Sequence, residues 1–400
     1  MAQKAQPARG MRDVVPPVGE VRRQVANRIL DVYTAHGFEV IETPAMEDLD
    51  VLVGSQGGDN EKLIFKVLKR GERLDEALAR QDELADLGLR FDLTVPLARF
   101  VANHYNELPM PFKVAHVAPV WRAERPQKGR YREFSQCDID IVGEPGVAAE
   151  VELCGATLEA LEAVGVAGCT VRVNDRRLLR AAVDRWLGPI EGPGPVYIAL
   201  DKLDKLGPER VAAELSGYDG AGVKALMGWL DSADPTDGPE EVAADLAATL
   251  ASLSSTGRSV RFDPALVRGM GYYTGQIFEV SHPDVAYSLA GGGRYDGMTA
   301  RFGAPALPMC GFSIGFERVC DMVDPDRFLR GRHRVAVLCS SQEEQLRCLA
   351  EASARRAGDP SATFNVLRRA RNARKQADDL ALLGYDQVVD GAGFAGPAQP

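Results

Sequence analysis

The sequence is poor in the residues and runs that mark several protein classes. Its 400 residues include only 5 His and 7 Cys, and the cysteines are odd in number, scattered and never spaced as C-x-x-C. This pattern is typical of buried thiols in a reducing compartment, and it disfavours a disulfide framework or a structural metal site. No run approaches the roughly 20 apolar residues that span a bilayer, and the polar start at 1–9 predicts no secretory signal. We therefore expect a cytoplasmic protein with no membrane partner.

The composition is that of an ordinary globular protein. Apolar side chains make up 45% and charged side chains 26% of the chain, whose length suits two or three domains. A net charge of −10 argues against nonspecific binding of nucleic acid. Residues 331–400 nevertheless carry slightly more Lys and Arg than Asp and Glu, which favours a local RNA contact there.

Hydrophobic periodicity predicts separate helices and strands. Helical patterns cover 16–36, 72–89, 147–164 and 310–323. Strand-like patterns cover 38–43, 137–142, 259–262, 275–280 and 288–290, and the apolar runs 90–101 and 112–121 suit either a strand or a helix. Short gaps between strands and segregated helices predict an α+β fold, in which helices flank an antiparallel sheet.

Two regions differ from this core. The Ala- and Leu-rich stretch 178–256 predicts a mostly helical insertion, which divides the core into 1–177 and 257–323. The charged stretch 324–334 suits a linker. Beyond it, 335–400 predicts a small α/β domain with strands at 335–339 and 387–389 and helices at 342–356 and 372–383. Its Gly/Ala/Pro-rich end, 391–400, predicts a disordered tail.

The richest segment in chemistry is 121–136, which reads W-R-A-E-R-P-Q-K-G-R-Y-R-E-F-S-Q. Five cations lie within eleven residues, between two strand-like runs. A solvated charged hairpin is one interpretation. The order of residues also suits ATP, because Arg122 would pair with the α-phosphate, Glu124 would accept from the adenine amino group, and Phe134 would stack on the base.

The same segment resembles the second signature motif of class II aminoacyl-tRNA synthetases, in a form similar to the histidyl-tRNA synthetase family. Residues 311–318, G-F-S-I-G-F-E-R, resemble the third motif, a strand leading into a helix. The resemblance implies that Arg318 meets the γ-phosphate and that Arg130 also binds ATP. The helix and strand ending at Pro44 resemble the first motif, which implies a homodimer. Histidine, tRNA and ATP with Mg²⁺ are the implied substrates, and class I signatures are absent.

Two further segments resemble motifs of the histidyl family. They are 266–275, L-V-R-G-M-G-Y-Y-T-G, and 290–297, A-G-G-G-R-Y-D-G. By itself the glycine run suits a tight turn or a bulge. Together with the resemblance, the segments imply a histidine pocket that includes Arg268, Tyr272, Tyr273 and Gly292.

Upstream, 90–96 resembles the family segment that holds the α-ammonium of the substrate. The resemblance implies that Asp92, Thr94 and Gln136 surround this ammonium group. A helix cap or a salt bridge is the alternative for Asp92. Asp140, with Tyr272 or Tyr273, would bind the imidazole ring and so reject apolar competitors.

The resemblance implies that catalysis rests on Arg122 and Arg268, which flank the reacting phosphate. Charge builds on the phosphate oxygens when the histidine carboxylate attacks, and fixed cations stabilise it. In this family the counterpart of Arg268 does work that a metal ion does in other class II enzymes, so no metal ligands are predicted.

The C-terminal region resembles the α/β anticodon-binding domain of the family. The resemblance implies that its basic cluster faces tRNA, through Arg368, Arg369, Arg371, Arg374 and Lys375. An ordinary solvated helix is the alternative for this cluster.

The chain departs from the family pattern in two places. Gly271 stands where the family usually has an acidic residue, and the C-terminal domain looks short. Three hypotheses therefore stay open: a histidine–tRNA ligase, an inactive regulatory relative of the kind that partners ATP phosphoribosyltransferase, and a histidine-adenylating relative with another acceptor.

Overall fold

The computed structural model describes residues 5–53, 60–126, 130–268, 271–329, 333–359 and 361–395. The chain divides into two compact units, one formed by residues 1–12 and 26–323 and the other by residues 13–25 and 324–400. Within the described ranges, no helix is long and apolar enough to cross a membrane.

Helices occur in both units. The α-helices are α1 (Val18–Ala35), α2 (Leu49–Val53), α3 (Glu72–Arg80), α4 (Thr94–His104), α5 (Ala148–Ala163), α6 (Arg176–Leu187), α7 (Gly194–Leu200), α8 (Leu203–Leu206), α9 (Pro208–Glu214), α10 (Gly220–Ser232), α11 (Glu240–Ser255), α12 (Phe316–Cys320), α13 (Pro325–Leu329), α14 (Gln342–Gly358), α15 (Ala373–Leu382) and α16 (Gly391–Ala395). Since α6 to α11 follow one another without a strand, the predicted helical insertion is confirmed.

Strands alternate with these helices. They are β1 (Glu39–Val40), β2 (Met46–Asp48), β3 (Lys66–Leu68), β4 (Ala85–Leu89), β5 (Phe112–Trp121), β6 (Glu133–Val142), β7 (Thr170–Asp175), β8 (Val260–Phe262), β9 (Gln276–His282), β10 (Val285–Arg294), β11 (Met309–Gly315), β12 (Arg334–Cys339), β13 (Thr363–Arg368) and β14 (Gln387–Asp390). Of the two runs that suit either a strand or a helix, 112–121 forms β5 along its whole length, and most of 90–101 lies in α4.

The larger unit is built on an eight-stranded sheet with the order β1-β5-β6-β11-β10-β9-β7-β8. Neighbouring strands from β5 through β7 are antiparallel, and the edge pairs β1–β5 and β7–β8 are parallel. The predicted α+β fold with an antiparallel sheet is therefore confirmed.

The two faces of this sheet differ because side chains alternate along a strand. On β6, Ile139 and Ile141 are buried in the apolar core, and each such burial contributes about 1.5–3 kcal/mol. Gln136, Asp138 and Asp140 point to the opposite face, where they line a cavity. Helix α5 packs against β6 and β11. The polar residues of β6 are thereby presented on a rigid, well-packed strand.

A smaller antiparallel sheet, β2-β4-β3, supports one wall of the same unit. Its core includes Leu52, Ile64 and Phe91. Because Phe91 and Val95 are both anchored in this cluster, the intervening turn into α4 is fixed, and with it the position of Asp92.

The smaller unit contains a parallel three-stranded sheet with the order β13-β12-β14. Alternate residues of β12 belong to two different apolar cores. Val335 and Val337 pack with residues of α14 and α16, whereas Ala336 and Leu338 pack with Leu380 of α15. This arrangement agrees with the predicted small α/β domain.

Several predictions of local structure are wrong. Residues 310–323 do not form one helix, because Met309–Gly315 pairs with β6 and β10 as strand β11. Almost the whole strand is buried, so its apolar run shows no clear alternation. The helix predicted over 72–89 ends at Arg80, where Gln81 takes a left-handed conformation, and the segment continues as β4.

The C-terminal predictions also need correction. The predicted disordered tail begins with a short helix, α16, because Phe394 packs into the core of the smaller unit. Residues 396–400 of that tail lie outside the described residues. The predicted linker contains α13, and strands β7 and β13 have no counterpart among the predicted strands.

Candidate functional site

A cavity of about 1010 Å³ opens on the polar face of the eight-stranded sheet. It brings together every catalytic, ATP-binding and histidine-binding residue that the sequence predicts, namely Asp92, Thr94, Arg122, Glu124, Arg130, Phe134, Gln136, Asp140, Arg268, Tyr272, Tyr273, Gly292 and Arg318. These residues come from segments that are far apart in the sequence. Their placement around one cavity is a property of the fold, and their individual roles remain predictions.

One end of the cavity is cationic, and we call it the nucleotide end (Arg122, Glu124, Arg130, Phe134 and Arg318). Arg122 is held in place, because its Nε donates to the carbonyl oxygen of Phe91 at 2.9 Å. Its guanidinium also lies 5.0 Å from the centre of the Phe134 ring. The arginine is thus oriented before any ligand binds.

The other charges of the nucleotide end are held less firmly. Arg130 pairs with Glu124 at 3.3 Å, and these side chains are 52% and 31% exposed, so the pair contributes little stability. Nη1 of Arg318 donates to the carbonyl oxygen of Ser288 at 2.7 Å. Burial, and then the charges of Arg130 and Arg268, lower the pKa of Arg318. Cations that repel one another in this way favour a polyanionic ligand.

A second group of cavity residues is acidic and more deeply buried, and we call it the histidine end (Asp92, Thr94, Gln136, Asp140, Tyr272 and Tyr273). Asp92 Oδ1 accepts from the backbone N–H of Val95 in the first turn of α4 at 3.1 Å, although the N-cap residue of this helix is Leu93. The second oxygen of Asp92, Oδ2, is buried without a hydrogen-bond partner among the described residues, as is Oε1 of Gln136. Two such acceptors beside one cavity suit a ligand that donates hydrogen bonds.

Asp140 is a nearly buried carboxyl group of the histidine end. It accepts a hydrogen bond from the hydroxyl of Tyr295 at 2.5 Å. Burial raises the pKa of Asp140 to about 7, with Asp92 adding to the rise, while burial raises the pKa of Asp92 to about 6. A cationic or proton-donating ligand would relieve both carboxyl groups.

Tyrosine rings form the wall around Asp140. The ring centres of Tyr272 and Tyr273 are 4.7 Å apart, and those of Tyr272 and Tyr295 are 5.7 Å apart. Burial raises the pKa of Tyr272, and Thr94 beside it acts to lower that pKa. An imidazole is a flat ring with polar nitrogen atoms. The tyrosine rings provide flat walls for such a ring, and their hydroxyls and the Asp140 carboxyl group provide polar partners for its nitrogens.

Arg268 also lines the cavity, and its charge acts on residues of both ends, namely Tyr273 and Arg318. Its backbone is left-handed, with φ 56°, and its side chain passes over β10 at Gly291, where a Cβ would overlap the guanidinium. The adjacent Gly292 lets β10 approach the backbone of Gly311. The glycine run therefore lies in a regular strand rather than in a turn, and it makes room for Arg268.

A chain of charges fixes Arg268. Nη1 of Arg268 pairs with Glu279 at 3.0 Å, and Glu279 also pairs with Arg172 at 2.9 Å. Burial acts to lower the pKa of Arg268, but Tyr273 and Glu279 outweigh it and the pKa is raised. Although Gly271 replaces the acid usual in the family, Arg268 thus has a carboxylate partner.

Sequence reasoning missed several residues of the cavity. Tyr295 lies within a motif that was recognised, yet nothing in the sequence singled it out beside Arg294 and Asp296. Glu279 and Ser313 lie on strands β9 and β11, and only the strand register brings them to the site. Lys205, from the insertion, also lines the cavity, and no sequence pattern marked it.

The basic cluster predicted to face tRNA lies in the smaller unit. All five side chains are exposed: Arg368, Arg369, Arg371, Arg374 and Lys375. Arg369 is paired with Asp390, while Arg374 and Lys375 belong to the first turn of α15. Exposure is required for an RNA contact but does not establish one, so this assignment remains a prediction.

Comparison with known sequences gives a consistent result. A family model described as "Histidyl-tRNA synthetase" matches residues 10–319. The histidine–tRNA ligase of Leifsonia xyli subsp. xyli is 50% identical over 352 residues, which cover 81% of each chain. The histidine–tRNA ligase of Aeropyrum pernix is 42% identical over 338 residues, which cover 80% of this chain and 74% of the relative.

Solved structures share the fold at lower sequence identity. One is described as an ATP phosphoribosyltransferase regulatory subunit/histidyl-tRNA synthetase from Bacillus halodurans, with a TM-score of 0.78, 22% identity and coverage of 98% of this chain and 99% of that chain. Another, histidyl-tRNA synthetase from Nostoc sp., has a TM-score of 0.74, 24% identity and coverage of 95% and 90%.

Proposed function

Because the chain belongs to the histidyl-tRNA synthetase family, we propose that it is a histidine–tRNA ligase. It joins histidine and ATP to form histidyl-adenylate and pyrophosphate, and then transfers the histidyl group to the 3′ end of its tRNA. The observation that carries this proposal is the meeting of Arg122, Arg268 and Arg318 with an acidic, tyrosine-walled pocket in one cavity.

In the first step, an oxygen of the histidine carboxylate attacks the α-phosphorus of ATP and pyrophosphate leaves. Arg122 and Arg268 stabilise the negative charge that builds on the α-phosphate oxygens. Their hydrogen bonds to Phe91 and Glu279 hold the two guanidinium groups in place, so little reorganisation is needed as the charge develops. Arg318 and Arg130 balance the charge of the remaining phosphates. Magnesium would accompany ATP as its usual complex.

Histidine is selected by groups of the histidine end. The free oxygens of Asp92 and Gln136 accept from the α-ammonium, with Thr94 beside them. Asp140 accepts from a ring N–H, and Tyr272 and Tyr273 enclose the ring. A site that hydrogen-bonds both ends of its ligand rejects analogues that lack either partner, because its own buried groups would then be unpaired.

In the second step, a terminal ribose hydroxyl of the tRNA attacks the histidyl carbonyl and AMP leaves. The proposal assigns tRNA contact to Arg368, Arg369, Arg371, Arg374 and Lys375, which are exposed cations suited to phosphate. It also includes a homodimer, from the resemblance of the first motif, and a cytoplasmic location, where tRNA is charged.

Two assays on the purified protein test this function. Wild-type protein is expected to catalyse histidine-dependent exchange of pyrophosphate into ATP and then to charge tRNA with histidine. Exchange without charging would favour the relative with another acceptor. Histidine binding without exchange would favour the regulatory relative and would contradict the ligase.

A further inference from the structure

Asp138 is a buried carboxyl group to which the proposed mechanism gives no role. It lies on β6 between Gln136 and Asp140, lines the cavity and is only 4% exposed. Directly across the strand pair, Ser313 of β11 is its register partner. Burial raises the pKa of Asp138, and the Ser313 hydroxyl beside it acts to lower that pKa. The two side chains therefore form a polar pair beneath the histidine end.

This pair meets one end of the Gln136 side chain. Nε2 of Gln136 donates to Ser313 Oγ at 2.8 Å and faces both carboxyl oxygens of Asp138 at 3.4 Å. An amide has a donor end and an acceptor end, so contacts that bind its NH₂ also fix the direction of its oxygen. With the NH₂ held by Asp138 and Ser313, Oε1 is left free, and it has no partner among the described residues.

The free oxygen of Gln136 is one of two such acceptors at this end, the other being Oδ2 of Asp92. An α-ammonium group carries three N–H donors and is well matched by a carboxylate and an amide oxygen. If the amide of Gln136 were turned around, its NH₂ would face the ammonium and repel it. The orientation of one amide therefore decides whether this end attracts or rejects an amino acid.

We propose that Asp138 and Ser313 are positioning residues that hold Gln136 with its oxygen toward the α-ammonium of the substrate, and so make the site specific for ligands that carry this group. The inference rests on the proposed function, in that histidine is the ligand. It does not depend on the charge of Asp138, because a carboxyl group in either protonation state keeps an acceptor for the Gln136 amide.

The test compares three ligands on designed variants by calorimetric titration. Histidine carries both α-groups, histidinol lacks the carboxylate, and imidazolepropionate lacks the ammonium. Asp138→Ala removes both carboxyl oxygens that face the NH₂ of Gln136, so this NH₂ loses two acceptors and the amide is free to reverse. We expect it to weaken histidine and histidinol by about tenfold to a hundredfold, the usual effect of losing a hydrogen bond to a charged group. Imidazolepropionate and ATP should change by less than about twofold.

Ser313→Ala provides a second variant that keeps the carboxyl group. It should show the same selectivity with a smaller loss, of about threefold to tenfold. Ser281→Ala is the matched control, since it also removes a serine hydroxyl from the sheet, but one bonded to the carbonyl oxygen of Thr170. Equal losses for all three ligands, or no loss in either variant, would overturn the proposal.

A double-mutant cycle separates positioning from direct contact. In the background Gln136→Met, where no amide remains to be oriented, Asp138→Ala should cause no further selective loss. A selective loss that persisted there would mean that Asp138 binds the ammonium itself, and the positioning role would be wrong. If the wild-type protein bound no histidine, the proposed function would be refuted. If the wild-type protein bound histidine but the variants lost affinity for all three ligands equally, only the positioning role would be refuted.

Discussion

The two ends of the cavity are built in contrasting ways. At the histidine end, Asp92 and Asp140 are 2% and 4% exposed. At the nucleotide end, Arg130 is 52% exposed and is paired with Glu124 in an ion pair that is open to solvent. Arg122 lies between these extremes, since its guanidinium is hydrogen-bonded and packed on Phe134.

The difference matches the ligands that each end would bind. A small ligand with fixed geometry is best selected by buried, oriented groups, because wrong ligands leave those groups unpaired. A flexible polyphosphate needs mainly positive charge, which exposed arginines supply at little cost in folding stability. Substitutions at the histidine end should therefore change specificity, whereas those at the outer nucleotide end should change affinity only modestly.

The largest effect should come from Arg268, whose charge acts on residues of both ends. We expect Arg268→Ala to lower the rate of pyrophosphate exchange by about 10²- to 10³-fold, because a fixed donor to the transition state is lost. The dissociation constant for histidine should change far less. Arg261→Ala, which removes an exposed arginine of β8, is the control and should leave both quantities unchanged. Equal losses in rate and in histidine binding would mean that the role of Arg268 is misassigned.

A smaller but more selective effect is expected for Asp140. Asp140→Asn keeps the hydrogen bond with Tyr295 sterically possible but removes the charge that faces the ring N–H. The KM for histidine should rise by about tenfold to a hundredfold, while the KM for ATP stays within about twofold. Steady-state exchange with each substrate varied in turn measures both. If the KM for histidine and the KM for ATP increased by the same factor, the proposed difference between the histidine end and the nucleotide end would be wrong.

The next largest effect should be the change in histidine affinity between pH 5.5 and pH 8. Burial raises the pKa of Asp92 to about 6 and that of Asp140 to about 7, so both are largely protonated at pH 5.5 and ionised at pH 8. Since the ammonium favours the ionised forms, affinity should rise by about tenfold or more over this interval. Without a ligand, the folded protein binds protons at Asp92 and Asp140 more tightly than the unfolded chain does. The free energy of unfolding should therefore decrease as the pH increases from about 4 to about 7.

Imidazolepropionate controls for the titration of the ligand ring, because it keeps the imidazole and lacks the ammonium. Its affinity should rise less between pH 5.5 and pH 8. Calorimetry in buffers of different ionisation enthalpy would also detect the protons released when histidine binds near pH 6.5. Histidine affinity that fell with increasing pH would contradict the raised pKa values.

The smallest effect is expected at the nucleotide end. Arg130→Ala should raise the KM for ATP by about threefold to fivefold, because an exposed cation interacts weakly with phosphate through water and salt. The KM for histidine should not change. A loss as large as that of Arg268→Ala would show that Arg130 becomes buried and fixed when ATP binds.

The sequence predicted the elements with the clearest patterns. Strand β6 was recognised because Asp138 and Asp140 alternate with isoleucines, and α5 because its Ala- and Leu-rich run follows a Pro-Gly turn. Strand β11 was missed by periodicity, since its buried apolar run shows no alternation. The resemblance of 311–318 to a known motif nevertheless predicted a strand that leads into a helix, which is what the chain forms.

The site was predictable where residues cluster in one motif, as Arg122 and Phe134 do. Contacts that depend on the register between strands could not be predicted from the sequence. Ser313 meets Asp138 only because β11 pairs with β6 in one register, and Glu279 meets Arg268 only because the chain turns back along β9. No local pattern encodes such pairs, so the residues that orient others were the ones sequence reasoning missed.

The central claim is that Arg122 and Arg268 converge on one phosphate beside the histidine pocket. A crystal structure with a non-hydrolysable histidyl-adenylate analogue, in which a sulfamoyl group replaces the phosphate, tests it most directly. We predict that both guanidinium groups lie within about 3 Å of the sulfamoyl oxygens, with the ring on Asp140 and the ammonium between Asp92 and Gln136. A complex in which either arginine points away from the sulfamoyl group would contradict this account.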